Sequence, residues 1–357
     1  MEIIGIMSGT SLDGCDIAHV KFTNKNGITR SSILNSITYP YKSTLLNKLK
    51  KSTKLDGLEI SYLNIELGSF FGECVNNFIK KNQIIRKNIK AIACHGHTIF
   101  HQPQKKLTLQ IGCGQTIAQI TKIDTINDFR TKDVLAGGQG APLVPIGDFS
   151  LFKHLADGFL NIGGFCNISF KKLDQIIAFD ICPGNLPLNK IANKLKLDYD
   201  KNGEIAKSGA IIDSILFKLN DLNYYKENSP KSLGVEWLEN NFYPLIDDYV
   251  TIDSKSISNI MSTMVEHISN QIANVINHQN LSKILITGGG GKNTYLISKI
   301  KEKTNAQIII PEIELIDYKE AIIFAYMGYL FLHDRVNCLS SVTGASHDVI
   351  GGVMNKY

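Results

Sequence analysis

Apolar residues recur along the chain in two rhythms. Short runs that are apolar throughout or alternate with polar residues predict strands at Glu2–Met7, Cys15–Phe22, Ile28–Tyr39 and Ile89–Cys94. Further runs of this kind lie at Gly158–Phe170, Ile176–Asp180, Lys283–Thr287 and Gln307–Ile310. A helical rhythm places Ile60, Leu63, Leu67, Phe70, Phe71, Cys74, Val75 and Phe78 on one face. It does the same for Ile257, Ile260, Met261, Met264, Val265, Ile268, Ile272, Val275 and Ile276. Strands alternating with helices predict an α/β fold. The two halves echo each other. Strand, Gly-Thr-Ser-Leu-Asp-Gly turn and strand open the first, and Phe159-Leu-Asn-Ile-Gly-Gly-Phe-Cys-Asn-Ile-Ser-Phe170 repeats that order in the second. A duplicated domain produces such an echo, and so do two unrelated hairpins.

Composition narrows the class. A chain of 357 residues with 43% hydrophobic and 20% charged residues suggests two domains of an ordinary globular protein. The net charge of +5 is spread thinly, without a basic stripe interleaved with aromatics, so no nucleic-acid partner is expected. No apolar run reaches membrane-spanning length and no leader pattern opens the chain, so a cytoplasmic protein without a membrane partner is expected. Seven scattered cysteines without a Cys-x-x-Cys pair are expected to be reduced thiols.

Several segments carry candidate chemistry. The turn Gly5-Ile-Met-Ser-Gly-Thr-Ser-Leu-Asp-Gly-Cys-Asp16 offers backbone N–H groups and the hydroxyls of Thr10 and Ser11 to a phosphate tail. Asp13 adds a carboxylate for a hydrated magnesium ion. The bland alternative is a hairpin whose glycines only satisfy turn geometry. Ile286-Thr-Gly-Gly-Gly-Gly-Lys-Asn-Thr294 fails the P-loop spacing, because Ile286 stands where the first glycine belongs and Asn293 follows the lysine. It also fails the dinucleotide fingerprint. What remains is a buried strand ending in glycines that let a flat ring such as adenine lie against the backbone, or else a simple turn. Asp180, at a strand end before Pro183-Gly184, suits a general base or a cap. Glu320 opens an apolar helix. Cys94-His-Gly-His-Thr-Ile-Phe-His101 has the histidines of a zinc site but a glycine inside and no acid or thiol motif beside it, which favours polar substrate contact or a turn. Asp128-Phe-Arg130, followed by Asp133, sets a guanidinium and a carboxylate beside the glycine-rich Ala136–Pro145 loop, the guanidinium suited to a carboxylate-bearing ligand or to an internal Asp–Arg pair.

Taken together and in this order, these segments resemble the anhydro-N-acetylmuramic acid kinase family. The resemblance runs from Gly5 to Ala345 and includes Asn161-Ile-Gly-Gly164, Pro183-Gly-Asn185, Gly288-Gly-Gly290, Glu320-Ala321 and Ser341-Val-Thr-Gly-Ala345. It implies two related actin-like ATPase domains of the sugar-kinase superfamily around a central cleft. The first is expected over residues 1–127 plus 336–357, and the second over 128–335. It implies ATP and Mg2+ as cofactors and an amino sugar as substrate, and a homodimer is the expected assembly. The implied reaction opens 1,6-anhydro-N-acetylmuramic acid with water and phosphorylates O6, in peptidoglycan recycling.

Residue by residue, Gly9, Thr10, Ser11, Leu12, Asp13, Gly14, Cys15 and Asp16 would hold the phosphates, with Asp13 on the metal. Gly163, Gly164, Gly288, Gly289 and Gly290 would lie against the nucleotide. Asp180 would take a proton from water, and His95, His97, Asp128, Arg130 and Glu320 would meet the sugar. Two departures stand out: Ile181 and Cys182 replace the family's usual Thr-Gly after the base, and His97 stands where Gln is commoner. The departures beside the base suggest the alternative of a weakened member that senses sugar or nucleotide.

Overall fold

The computed structural model describes residues 1–9, 12, 14–173, 175–229, 231–250 and 253–357. They form two compact units, residues 1–152 with 318–357, and residues 153–317.

The first unit is built on a six-stranded sheet. Its strands are β1 (Glu2–Met7), β2 (Cys15–Lys25), β3 (Ile28–Tyr39), β4 (Ile89–Cys94), β7 (Thr125–Asn127) and β13 (Val353–Asn355), in the order β13-β7-β4-β1-β2-β3. Strands β5 (His97–Gln102) and β6 (Leu107–Ile111) pair separately. Ile3, Ile4 and Ile6 of β1 are all fully buried, as a central strand covered on both faces requires. One cover is the helix Gly57–Lys81, which starts with a capping box. Asp56 accepts from the Glu59 N–H at 2.8 Å, and Glu59 accepts from the Asp56 N–H at 3.0 Å. Its Leu63, Leu67, Phe71, Val75 and Phe78 face the core, as the helical rhythm predicts.

The opposite cover is the helix Ile313–Phe331, and glycine lets it come close. A Cβ on Gly5 of β1 would stand 1.9 Å from the Ala321 carbonyl oxygen, and one on Gly328 would stand 2.7 Å from the Ala93 Cβ on β4. This packing draws residues 318–335 into the first unit. The unit bounds therefore fall at 152/153 and 317/318, against 127/128 and 335/336 expected from the motifs.

The second unit has a five-stranded sheet of β8 (Gly158–Ile162), β9 (Phe165–Lys172), β10 (Gln175–Pro183), β11 (Lys283–Thr287) and β12 (Gln307–Ile309), in the order β10-β9-β8-β11-β12. The helix Ser254–His278 fills its core with Ile257, Ile260, Met261, Met264, Ile268 and Ile272. Asp253 caps that helix through the Ser256 N–H at 2.8 Å.

The two sheets share one topology. In each, the first strand pairs antiparallel with the second and the second with the third. The first strand also pairs parallel with the fourth, and the fourth with the fifth. The echo in the sequence is thus an echo in the fold, which is α/β in both units.

Candidate active site

In the first unit the chain leaves β1 at Met7 and enters β2 at Cys15. Thr10, Ser11 and Asp13 lie outside the described residues. The Leu12 N–H donates to the Gly9 carbonyl at 3.2 Å, with Leu12 left-handed at φ 58°. Gly14 is a close approach, since a Cβ there would stand 2.5 Å from the Tyr39 carbonyl oxygen. Cys15 is fully buried, and burial beside Cys74 pushes its thiol well up. Its side chain serves the core and leaves only its backbone to a ligand. Asp16 accepts from the Thr38 hydroxyl at 2.6 Å.

β4 delivers the histidines to this turn. The His95 N–H donates to the Ile6 carbonyl at 3.0 Å, so the chain past β4 runs beside the end of β1. His97 is buried, with Nδ1 at 3.0 Å from the Ser8 hydroxyl, which lies 2.5 Å from the Tyr41 hydroxyl. His95 Nδ1 lies 2.9 Å from the Gly96 carbonyl and therefore carries its proton. Nε2 is then the acceptor for the Arg130 Nε–H, at 2.9 Å. Burial, and then the Arg130 charge, hold His95 well below the usual imidazole range. Arg130 also donates through Nη1 to the Gly140 carbonyl at 2.5 Å. Burial lowers its pKa, and the charge acting most strongly against that shift is Glu320.

Thus Arg130 and His95 are joined directly, and the charge of Glu320, which lies within the helix Ile313–Phe331 rather than at its start, acts on the guanidinium. Asp128 stands apart from Arg130: it is left-handed at φ 56° and accepts from the Thr131 N–H at 3.3 Å. Asp133 is the carboxylate that meets the glycine-rich loop. Fully buried, it accepts from the Gly140 N–H at 2.8 Å and the Thr343 hydroxyl at 2.7 Å, tying the glycine-rich loop to the Ser341–Ala345 segment. His101 turns to Thr108 at 3.0 Å, so the three histidines of this segment engage three different partners. Among the described residues, no group of three or more His, Cys, Asp or Glu is placed to hold a metal ion.

In the second unit, two glycine turns and a helix start interlock. The Gly184 N–H donates to the Gly164 carbonyl and the Asn185 N–H to the Gly163 carbonyl, both at 2.8 Å. Asn185 Nδ2 reaches the Ile162 carbonyl at 3.3 Å. Gly288, at φ 81°, fits against this turn. A Cβ on it would meet Asn161 Oδ1 at 2.6 Å, and one on Gly290 would meet Ile162 Cγ2 at 2.1 Å. A Cβ on Gly289 would meet only Asn185 Nδ2, at 3.6 Å, which leaves the outer side of the loop open. The structure thus brings Gly163, Gly164, Gly288, Gly289 and Gly290 together and adds Asn161 and Asn185. Both asparagines sit inside the quoted motifs, which was the available signal.

Asp180 lies on β10, at the edge of the sheet. Its Oδ2 accepts from the Leu233 N–H at 2.9 Å. Burial pushes its carboxyl up, and the Leu233 bond opposes that shift. The register of β10 against β9 shifts between Asp180 and Cys182, and Ile181 and Cys182 are both buried in the core. The departures from the family pattern are therefore packing residues here, with Cys182 opposite Cys166.

The comparisons with known proteins agree over the full length. The sequence model described as anhydro-N-acetylmuramic acid kinase matches residues 1–356. The anhydro-N-acetylmuramic acid kinase of Francisella tularensis subsp. novicida is 35% identical, over 99% of this chain and 98% of its own. That of Bacillus cereus is 33% identical, with the same coverage of 99% and 98%. Among solved structures, the activator of the 2-hydroxyisocaproyl-CoA dehydratase from Clostridium difficile has a TM-score of 0.46 at 12% identity. It covers 94% of this chain and 97% of its own, and the likeness is too distant to carry anything further.

Proposed function

Because the chain belongs to the anhydro-N-acetylmuramic acid kinase family, we propose that it uses ATP to convert 1,6-anhydro-N-acetylmuramic acid into N-acetylmuramic acid 6-phosphate and ADP, in peptidoglycan recycling. The observation that carries the mechanism is Asp180. It is a half-buried carboxylate with a raised pKa, engaged on Oδ2 and without a partner on Oδ1 among the described residues. Such a group suits a general base.

Oδ1 takes a proton from water, and the water oxygen bonds to C1 of the sugar as the C1–O6 bond breaks. O6 then bonds to the γ-phosphorus, and the bond to ADP breaks. Arg130, fixed through Nε and Nη1, keeps Nη2 for the carboxylate of the muramic acid. Neutral His95 orients the guanidinium, and Glu320, His97 and Asp128 complete the sugar contacts. The glycines at 163–164 and 288–290 take the adenosine side of ATP. The open side of Gly289 fits that reading, since a flat ring has room there. Gly9 to Asp16 take the phosphates. Mg2+, held by Asp13, would offset phosphate charge. Among the described helices none is long and apolar enough to cross a membrane, and the reading places the enzyme in the cytoplasm as a homodimer.

A coupled ADP-release assay tests the reaction. ADP release is expected with the anhydro sugar, but not with N-acetylmuramic acid or N-acetylglucosamine. In oxygen-18 water, early product should carry label on the C1 hydroxyl and none on the phosphate ester oxygen. Label in free phosphate without sugar product would overturn the proposal, and binding without turnover would leave the sensor in its place.

A further inference from the structure

One segment holds Asp180 from three directions. The Tyr224 hydroxyl donates to the Asp180 carbonyl at 2.6 Å. The Asp180 N–H donates to the Lys231 carbonyl at 3.2 Å. The Leu233 N–H takes Oδ2 at 2.9 Å. β10 is an edge strand, so these bonds occupy backbone groups that no further strand pairs. The segment is itself braced. Lys231 Nζ donates to the Tyr224 carbonyl at 2.8 Å and sits 4.5 Å from the centre of that ring. Beneath it, the Tyr225 hydroxyl lies 2.9 Å from His267 Nε2, and His267 Nδ1 lies 2.7 Å from Asn220 Oδ1. Asn220 Oδ1 also accepts from Gln271 at 3.0 Å, which makes His267 the donor at Nδ1 and the acceptor from Tyr225 at Nε2.

We propose that Tyr224, Lys231 and Leu233 are the positioning residues of the base, fixing the Asp180 backbone and occupying Oδ2 so that proton transfer falls to Oδ1. The inference rests on Asp180 being the base. Two consequences separate it from plain edge-stapling. A carboxylate free to turn about its side-chain torsions presents either oxygen to the water, so losing the hold lowers kcat and spares KM. The Leu233 bond also lowers the carboxyl pKa, so loosening it moves the acidic limb of the kcat–pH profile to higher pH.

The test uses the full-length enzyme with Tyr224→Phe and Leu233→Pro, the second deleting the N–H donor. Ser232→Ala, on the neighbouring exposed residue, is the control. Thermal melts report folding. Each positioning variant is expected to lose about three- to tenfold in kcat, with the KM values for ATP and sugar held, and Leu233→Pro is expected to displace the acidic limb upward. Should Leu233→Pro fail to fold, Tyr224→Phe decides alone. Folded variants with the wild-type kcat and pH limb would overturn the inference. Asp180→Asn runs alongside: if it turns over the anhydro sugar, the assignment of the base fails. If it is inactive while Tyr224→Phe behaves as wild type, only the positioning inference fails.

Discussion

Asp180 is half-buried and His267 fully buried, and their partners give these two titratable groups opposite tasks. Asp180 has no partner on Oδ1 among the described residues and a raised pKa, the state of a group that exchanges protons. Asp180→Asn preserves an acceptor for the Leu233 N–H and removes only the basicity. It is expected to lower kcat by about two to four orders of magnitude while the KM values hold, as steady-state kinetics will read. His267 is closed on both nitrogens and fully buried, with its pKa pushed down to about 3. In the unfolded chain it titrates at the ordinary imidazole value of about 6.5. Between these values the unfolded state binds the extra proton, so stability is present in full above about pH 6.5 and falls as the pH drops. One such group contributes a slope of at most about 1.4 kcal/mol per pH unit. Melting temperatures from pH 7 to pH 4 are expected to fall less steeply for His267→Gln than for the parent.

At the scale of elements, the glycine loop after β11 separates packing from binding. Gly290→Ala forces a Cβ to within 2.1 Å of Ile162 Cγ2 and is expected to cost about 1–3 kcal/mol of stability, read by denaturant unfolding. Gly289→Ala meets nothing closer than 3.6 Å, so it is expected to melt like the parent and yet raise the KM for ATP. Equal KM values would remove this loop from the nucleotide site. The loop was legible because four successive glycines after an apolar strand have few structural uses. So were β1 to β4, β11 and the two long amphipathic helices, whose rhythm is strong. β7 and β13 span three residues each, too few for a period to show. The helix Ile313–Phe331 buries Ile322, Ile323, Phe324, Ala325, Tyr326 and Met327 in succession, so no polar face betrayed which unit it serves. The hold on Asp180 was illegible for another reason: its donor is a main-chain N–H 53 residues away. Ser8 and Tyr41 are likewise joined only by the fold.

At the scale of the molecule, the chain is a phosphotransferase of the anhydro-N-acetylmuramic acid kinase family in which one sheet topology occurs twice, and the second copy is an uninterrupted stretch of sequence. It owns a core that runs from Leu160 to Ile300. Residues 153–317 expressed alone are therefore expected to give a single cooperative melt, and a chain without one would show that its core needs the rest. The first copy is split, and its later part closes it. On the ribosome, residues 153–317 emerge before most of the helix that lies over Gly5 and Ala93. Translating them at about 5–20 residues per second takes roughly ten to thirty seconds. For that interval the nascent first sheet keeps one apolar side open to water and to its neighbours, and this is when a holding chaperone has something to grip.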